Sequence, residues 1–232
     1  MIYFNDQHVA DASAVVKNAT EQFELLFNLL AKQIYHESIS RSSSSEVMAI
    51  VYQYIEEAEQ AFKSHFDENP TLACGKGCNH CCAFPIQLMP QDLEHFLTQL
   101  IKEHSYEQLI DVLSKLKQQQ AAKKPPFYRT PCAFLDQEGA CTVYEYRPLA
   151  CRMFTSLDAQ SCQRSLTNGS AISQSTIRYR IFQAATCALQ VINQTQKRPD
   201  KQVDFTEGLI MKLVAFLEVE AKERKSKDRG DV

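Results

Sequence analysis

The chain has 232 residues, 44% hydrophobic and 23% charged, with only 6 glycines and 8 prolines, a composition that favours helices over turn-rich sheet. Its length suits one good-sized domain or a core with helical extensions. A net charge of −3 supplies no global basic field, so nucleic acid and anionic lipid are not expected partners.

The first residues, Met1-Ile2-Tyr3-Phe4-Asn5-Asp6, carry neither a basic region nor a long apolar stretch, and do not read as a signal peptide. No segment approaches the roughly 18 apolar residues of a membrane span. A cytoplasmic location with no membrane partner is therefore expected. In that reducing setting, nine cysteines point to metal binding or thiol chemistry and not to a disulfide framework.

Residues from about 11 to 66 read as two helices. Val16, Ala19, Phe23, Leu26, Phe27, Leu30 and Ile34 recur at helical spacing, and Asp11 can cap the start. The Arg41-Ser42-Ser43-Ser44-Ser45 run interrupts the pattern, and Ser43 with Glu46 has the spacing of a capping box. The second helix carries Val47, Ile50, Val51, Tyr54, Ala58, Ala61 and Phe62 on one face, and Asn69-Pro70 ends it. Both stripes predict ordinary core helices.

The stretch 71–89 holds four cysteines and two glycines and reads as irregular loop. Pro90 suits the first position of a helix buried through Leu93, Phe96, Leu97, Leu100 and Ile101. A further helix over about 105–121 uses Leu109, Ile110, Leu113 and Leu116, and Lys123-Lys124-Pro125-Pro126 breaks the chain. From Cys132 to Phe154 short extended pieces are expected, with a turn at Gln137-Glu138-Gly139. Two helices follow. One spans about 173–195 with Ile181, Phe182, Ala185, Ala188 and Ile192, and the other about 205–223, begun by Asp204 and Glu207 and packed through Leu209, Leu213, Val214 and Leu217. The charged tail beyond Glu223 is expected to be disordered.

Eight of the nine cysteines form two clusters. The first is Cys74-Gly75-Lys76-Gly77-Cys78-Asn79-His80-Cys81-Cys82. Thiolates two or three residues apart can converge on one centre when a tight loop turns them inward, and the glycines ease that turn. The spacing lies within the range of both zinc knuckles and iron–sulfur loops. The second cluster is Cys132, Cys141, Cys151 and Cys162, each nine to eleven positions from the next. Lys76, Arg147 and Arg152 are candidates to offset the negative charge of a thiolate-ligated cluster. Cys187, beside an apolar helical stripe, is expected to be packed as a small hydrophobe. His80 has thiols enough around it to stand as a neighbour of the centre instead of a ligand.

Zinc and iron–sulfur both remain open on spacing. Only the first cluster resembles a paired zinc knuckle, and adjacent Cys81-Cys82 would be awkward on one ion. Apolar flanks at Ala83-Phe84-Pro85-Ile86, Ala133-Phe134-Leu135 and Met153-Phe154 suit a sheltered 4Fe–4S cluster and tilt the reading that way. The Cys74-x3-Cys78-x2-Cys81 spacing also matches the radical S-adenosylmethionine motif. That chemistry belongs to a larger α/β barrel, whose strand–helix alternation is missing here.

The motifs Cys74-x3-Cys78-x2-Cys81-Cys82, Pro131-Cys132-Ala133-Phe134-Leu135 and Cys141-Thr142-Val143-Tyr144-Glu145-Tyr146-Arg147-Pro148-Leu149-Ala150-Cys151-Arg152 resemble the YkgJ-type cysteine-cluster family, described as zinc- or iron-chelating. The resemblance covers about residues 71–165. It implies a chelating set of Cys74, Cys78, Cys81, Cys82, Cys132, Cys141 and Cys151, with Cys162 as the eighth. The chain has one residue more before Cys78 than the family's C-x2-C-x2-C-C pattern. One relative, the flagellin lysine N-methylase, joins a similar cysteine domain to protein methylation and an iron–sulfur cluster, but no glycine-rich S-adenosylmethionine loop stands out here.

The expectation is thus a mainly α fold, a helical body carrying an irregular cysteine-rich metal-binding segment with at most a small β-hairpin. It divides into an N-terminal helical part (1–70), the cysteine-cluster segment (71–165), and C-terminal helices with the tail (166–232), together one compact domain. The expected function is metal chelation, by an iron–sulfur cluster or zinc, with a redox or protein-modifying role towards a redox partner or protein substrate. A surplus of thiols, Cys82 among them, motivates the redox role. The alternatives are a structural zinc module mediating protein interaction and a protein-lysine methyltransferase-like enzyme. No serine–histidine–acid set, paired carboxylates or phosphate loop argues for a different catalyst.

Overall fold

The computed structural model describes residues 6–65, 71–75 and 77–230. It is mainly helical, as the patterning predicts. Among the described residues there are eight α-helices: α1 (Asp6–Ser38), α2 (Ser44–His65), α3 (Pro90–Glu103), α4 (Tyr106–Ala122), α5 (Leu149–Met153), α6 (Ala159–Asn168), α7 (Thr176–Thr195) and α8 (Phe205–Gly230). Two-residue strands β1 (Gln87–Leu88) and β2 (Val203–Asp204) pair antiparallel, with Gln87 opposite Asp204 and Leu88 opposite Val203.

The helices bury two apolar cores. In the first, α1, α2 and α7 pack together through Phe27, Ile34, Val47, Val51, Ile181, Ala185 and Ile192. In the second, α3, α4 and α8 meet around Leu93, Phe96, Leu100, Leu116, Leu209 and Leu213. Helix α3 also packs on α2, and a buried amide pair, Gln91 with Asn193, ties it to α7. The cysteine-bearing segment contributes to both cores. Leu149 and Met153 enter the first, while Phe134, Val143, Cys132 and Cys141 pack in or against the second. The Phe96 ring meets those of Phe134 and Phe205 edge-on at 5.3 and 5.1 Å, which fixes the start of the second cysteine cluster to helices on either side.

Local signals place most ends. Ser43 caps α2 by accepting the Ser45 N–H, and Pro90 occupies the first turn of α3. Ser105 and Gln108 form a full capping box on α4. Asp204 accepts the Glu207 N–H at 3.0 Å to start α8. The Asn69-Pro70 stop falls outside the described residues.

Several expectations need correction. Helix α1 begins at Asp6, so Asp11 lies inside it and does not cap it. Leu26 and Ile110 are exposed, on a flank of α1 and of α4 that no described residue covers. The tail continues α8 to Gly230. Its Ala, Lys, Glu and Arg content favours helix, and Arg224 reaches back one turn to Glu220. Cys187 is exposed, since it sits about 100° round α7 from the buried Ala188. Helix α5 stands where short extended pieces and turns were expected, and α6 lies in a stretch for which no element was expected. The first is barely a turn long and the second is mostly polar, so neither leaves a strong apolar period in the sequence.

Among the described residues no helix is long and apolar enough to cross a membrane.

A candidate metal centre

The first cysteine cluster is folded by tight backbone turns. Cys78 N–H returns to the Gly75 carbonyl at 3.1 Å, and Gly77 adopts a positive φ of 89°. His80-Cys81-Cys82-Ala83 then form a 3-10 turn, begun by the Cys82 N–H on the Asn79 carbonyl and closed by the Phe84 N–H on Cys81. Lys76 lies outside the described residues.

Two links bring the second cluster onto the first. The Asn79 amide donates to the Gly139 carbonyl at 3.0 Å, reaching across to the loop between Cys132 and Cys141. That loop is closed by a bridge pairing Leu135 with Cys141 and by Asp136, whose carboxylate accepts the N–H groups of Glu138 and Ala140. Gly139 has φ +80°, and a Cβ there would lie 2.3 Å from the Asn79 side chain. Both the dihedral and the close approach therefore require glycine. In the second link, Ala73 N–H donates to the Ser156 carbonyl while Ser156 N–H points at the Cys74 sulfur, 3.2 Å away.

The short α5 carries Cys151 and is anchored from α3. The Asp92 carboxylate, 2% exposed, accepts the Leu149 N–H at 2.9 Å and the Tyr52 hydroxyl at 3.3 Å. Burial pushes the Asp92 carboxyl up to about 7, against the opposing pull of those hydrogen bonds and of Arg152. The Arg152 guanidinium lies over the Tyr52 ring and donates to the carbonyls of Arg147 and Glu145, which ties α5 to the preceding turn. Helix α6 is capped by Asp158 and ended by Gly169, and it holds Cys162 buried.

Cys81, Cys132, Cys141 and Cys151 come from three separate stretches of chain, yet Cys81 stands near enough to the other three to push their thiol pKa upward, as Cys132 and Cys141 also do for Cys151. The Cys81 thiol is pushed up first by its hydrogen bond with Cys82 and then by burial. Burial drives Cys132 to about 11 and Cys151 well above the ordinary thiol value. Arg147 pulls the other way on Cys81 and Cys141. Cys162 is raised by burial, is hydrogen-bonded to Ser156, and feels Cys74, Cys78 and Cys81. Cys74 and Cys162 thus share Ser156, and the exposed Cys78 is near enough to act on Cys162.

Six of the eight thiols, those of Cys78, Cys81, Cys82, Cys132, Cys141 and Cys151, line one cleft of about 530 Å³. The donor chemistry suits zinc or an iron–sulfur cluster, both of which take thiolates. As the side chains stand, hydrogen-bonded to one another and to backbone, no group of three or more His, Cys, Asp or Glu among the described residues is drawn together tightly enough to hold an ion. Arg147, stacked over Tyr144, is the predicted charge neighbour that acts on the thiols. Arg152 is instead engaged by backbone carbonyls. Asp92 and Ser156 position the cysteine segments, and nothing in the local sequence marks either one.

Residues 73–180 match the model of the CxxCxxCC family, described as a putative zinc- or iron-chelating domain. This is the family that the cysteine motifs resemble, and the segment carries its domain. No curated protein and no solved structure matches the chain.

Proposed function

We propose that the cysteine segment holds an iron–sulfur cluster of the 4Fe–4S type and uses it in a redox or protein-modifying role, with a redox partner or protein substrate in the cytoplasm. Cys81, Cys132, Cys141 and Cys151 are its ligands. Cys74, Cys78, Cys82 and Cys162 form a second thiol set for a further metal or for exchange chemistry. The observation that supports this reading is that four thiols from three stretches of chain line one cleft, walled by Phe84, Phe134 and Phe154. Such an apolar wall is what a thiolate cluster needs to exclude solvent, and the Arg147 cation offsets its negative charge.

When bound, such a cluster supplies one-electron transfer. The chain's own part is to gather the thiols, exclude water and compensate charge. Metal binding requires thiolates, so protons leave the buried thiols as the ion enters. The test is iron, zinc and acid-labile sulfide content with a visible spectrum, on protein purified without oxygen. Iron and sulfide in similar amounts, with a colour that bleaches on reduction, is the expected result. A colourless protein with stoichiometric zinc would replace the redox role with a structural one.

A further inference from the structure

The cysteine cleft is also walled by residues that a metal would not need, among them Arg129, Phe84, Phe154, Ile172 and Phe182. Its volume of about 530 Å³ is that of a small-molecule site. The described lining includes three cations, Lys123, Arg129 and Arg147, and no aspartate or glutamate. Two of the cations are committed. Lys123 pairs with Asp204 at 2.9 Å. Arg147 donates to the Tyr144 carbonyl, stacks on that ring, and acts on Cys81 and Cys141.

Arg129 is different. Its guanidinium lies 3.9 Å above the Phe84 ring, which in turn meets Phe154 edge-on at 5.6 Å. Stacking fixes the plane of the fork. Its Nε is buried without a hydrogen-bond partner, and its remaining polar contact among the described residues is a long one, 3.4 Å, to the Ser165 hydroxyl. No carboxylate among the described residues pairs with it. A guanidinium N–H buried without an acceptor costs free energy unless something completes it. With no second free cation among the described lining residues, a planar fork matches a carboxylate better than a dianionic phosphate.

We propose that Arg129 anchors the carboxylate of a small organic acid, whose apolar body lies along Phe84, Phe154, Ile172 and Phe182 beside the cysteines. The ligand class is an aryl or alkyl monocarboxylate. The site takes its substrate or effector by the acid group and presents its apolar portion to the thiol centre.

The test is calorimetric titration of the full-length protein, with its metal as purified, using 3-phenylpropionate, 3-phenylpropanol and phenyl phosphate. Saturable binding of 3-phenylpropionate is expected, with much weaker binding of the alcohol and the phosphate. Arg129→Gln should weaken the carboxylate about 10-fold or more, the worth of a charged hydrogen bond. Arg129→Lys should recover only part of the loss. Equal binding of acid and alcohol, preference for the phosphate, no binding of the acid, or undiminished binding by Arg129→Gln would each overturn the proposal. Because Arg129 lies outside the cysteine set, metal content is expected to be unchanged in both variants, so the ligand site and the metal reading can fail separately.

Discussion

The carboxylate of Asp92, on α3, accepts the backbone N–H of Leu149, the first residue of the helix that carries Cys151, at 2.9 Å. One buried acid thus connects the helical body to the cysteine segment, and Tyr52 of α2 donates to the same carboxylate. Removing it with Asp92→Ala leaves the Leu149 N–H and the Tyr52 hydroxyl short of their acceptor. A loss of about 2–4 kcal/mol in urea unfolding is expected, together with reduced metal content. Unchanged stability would show that α5 is held by other means.

The same residue gives a pH signature. Burial raises the Asp92 carboxyl from its ordinary 3.8 to about 7, so between those values the folded protein keeps a proton that the unfolded chain has lost. Its contribution to stability is full below about pH 4, declines as pH rises, and levels off above about 7. Asp92→Asn can still accept from Leu149 and donate to Tyr52. The wild type minus variant difference in unfolding free energy should fall by roughly 2–4 kcal/mol over that window. A flat difference would contradict the buried, uncharged carboxyl.

Gly139 ties the two cysteine clusters through its carbonyl and cannot accept a side chain. Gly139→Ala combines a positive φ with a Cβ 2.3 Å from the Asn79 amide nitrogen. A cost of about 1–3 kcal/mol is expected, with loss of bound metal. Asn79→Ala removes only the cross-link and should cost about 1 kcal/mol. Thermal unfolding and metal analysis of the pair would separate backbone strain from the lost hydrogen bond.

Cysteine substitutions should sort by location. Cys132→Ser, Cys141→Ser and Cys151→Ser should each strip most of the metal, whereas Cys187→Ser, on the exposed face of α7, should leave it intact. Arg147→Gln should weaken metal retention by about 10-fold or more, as the loss of a charge neighbour does. Chelator competition reads both effects. Metal lost equally from every variant, Cys187→Ser included, would point to general destabilisation.

Much of this was legible from residue order. The stripes of α2, α3 and α7, the proline at the head of α3 and the caps at Ser43 and Asp204 act within a few positions, so sequence periodicity and cap chemistry reveal them. The cysteine clusters were legible because sulfur donors at short spacing next to glycine are rare. The way the clusters meet was not. The Asn79–Gly139 contact spans sixty positions, and Cys74 meets Ser156 across eighty-two. Long-range pairings of this kind leave no local period. Asp92 looks like an ordinary first-turn acid until Tyr52 and Leu149 close over it, and Arg129 looks like a surface charge until Phe84 lies beneath it.

The most direct measurement of the central claim is X-ray absorption at the metal edge on the protein as purified. Cysteine ligation predicts a first shell dominated by sulfur, at about 2.3 Å whether the metal is zinc or cluster iron, with an additional iron scatterer beyond it if the centre is a cluster. A first shell of oxygen and nitrogen alone, or a protein that carries no metal when prepared without chelators or oxygen, would contradict it.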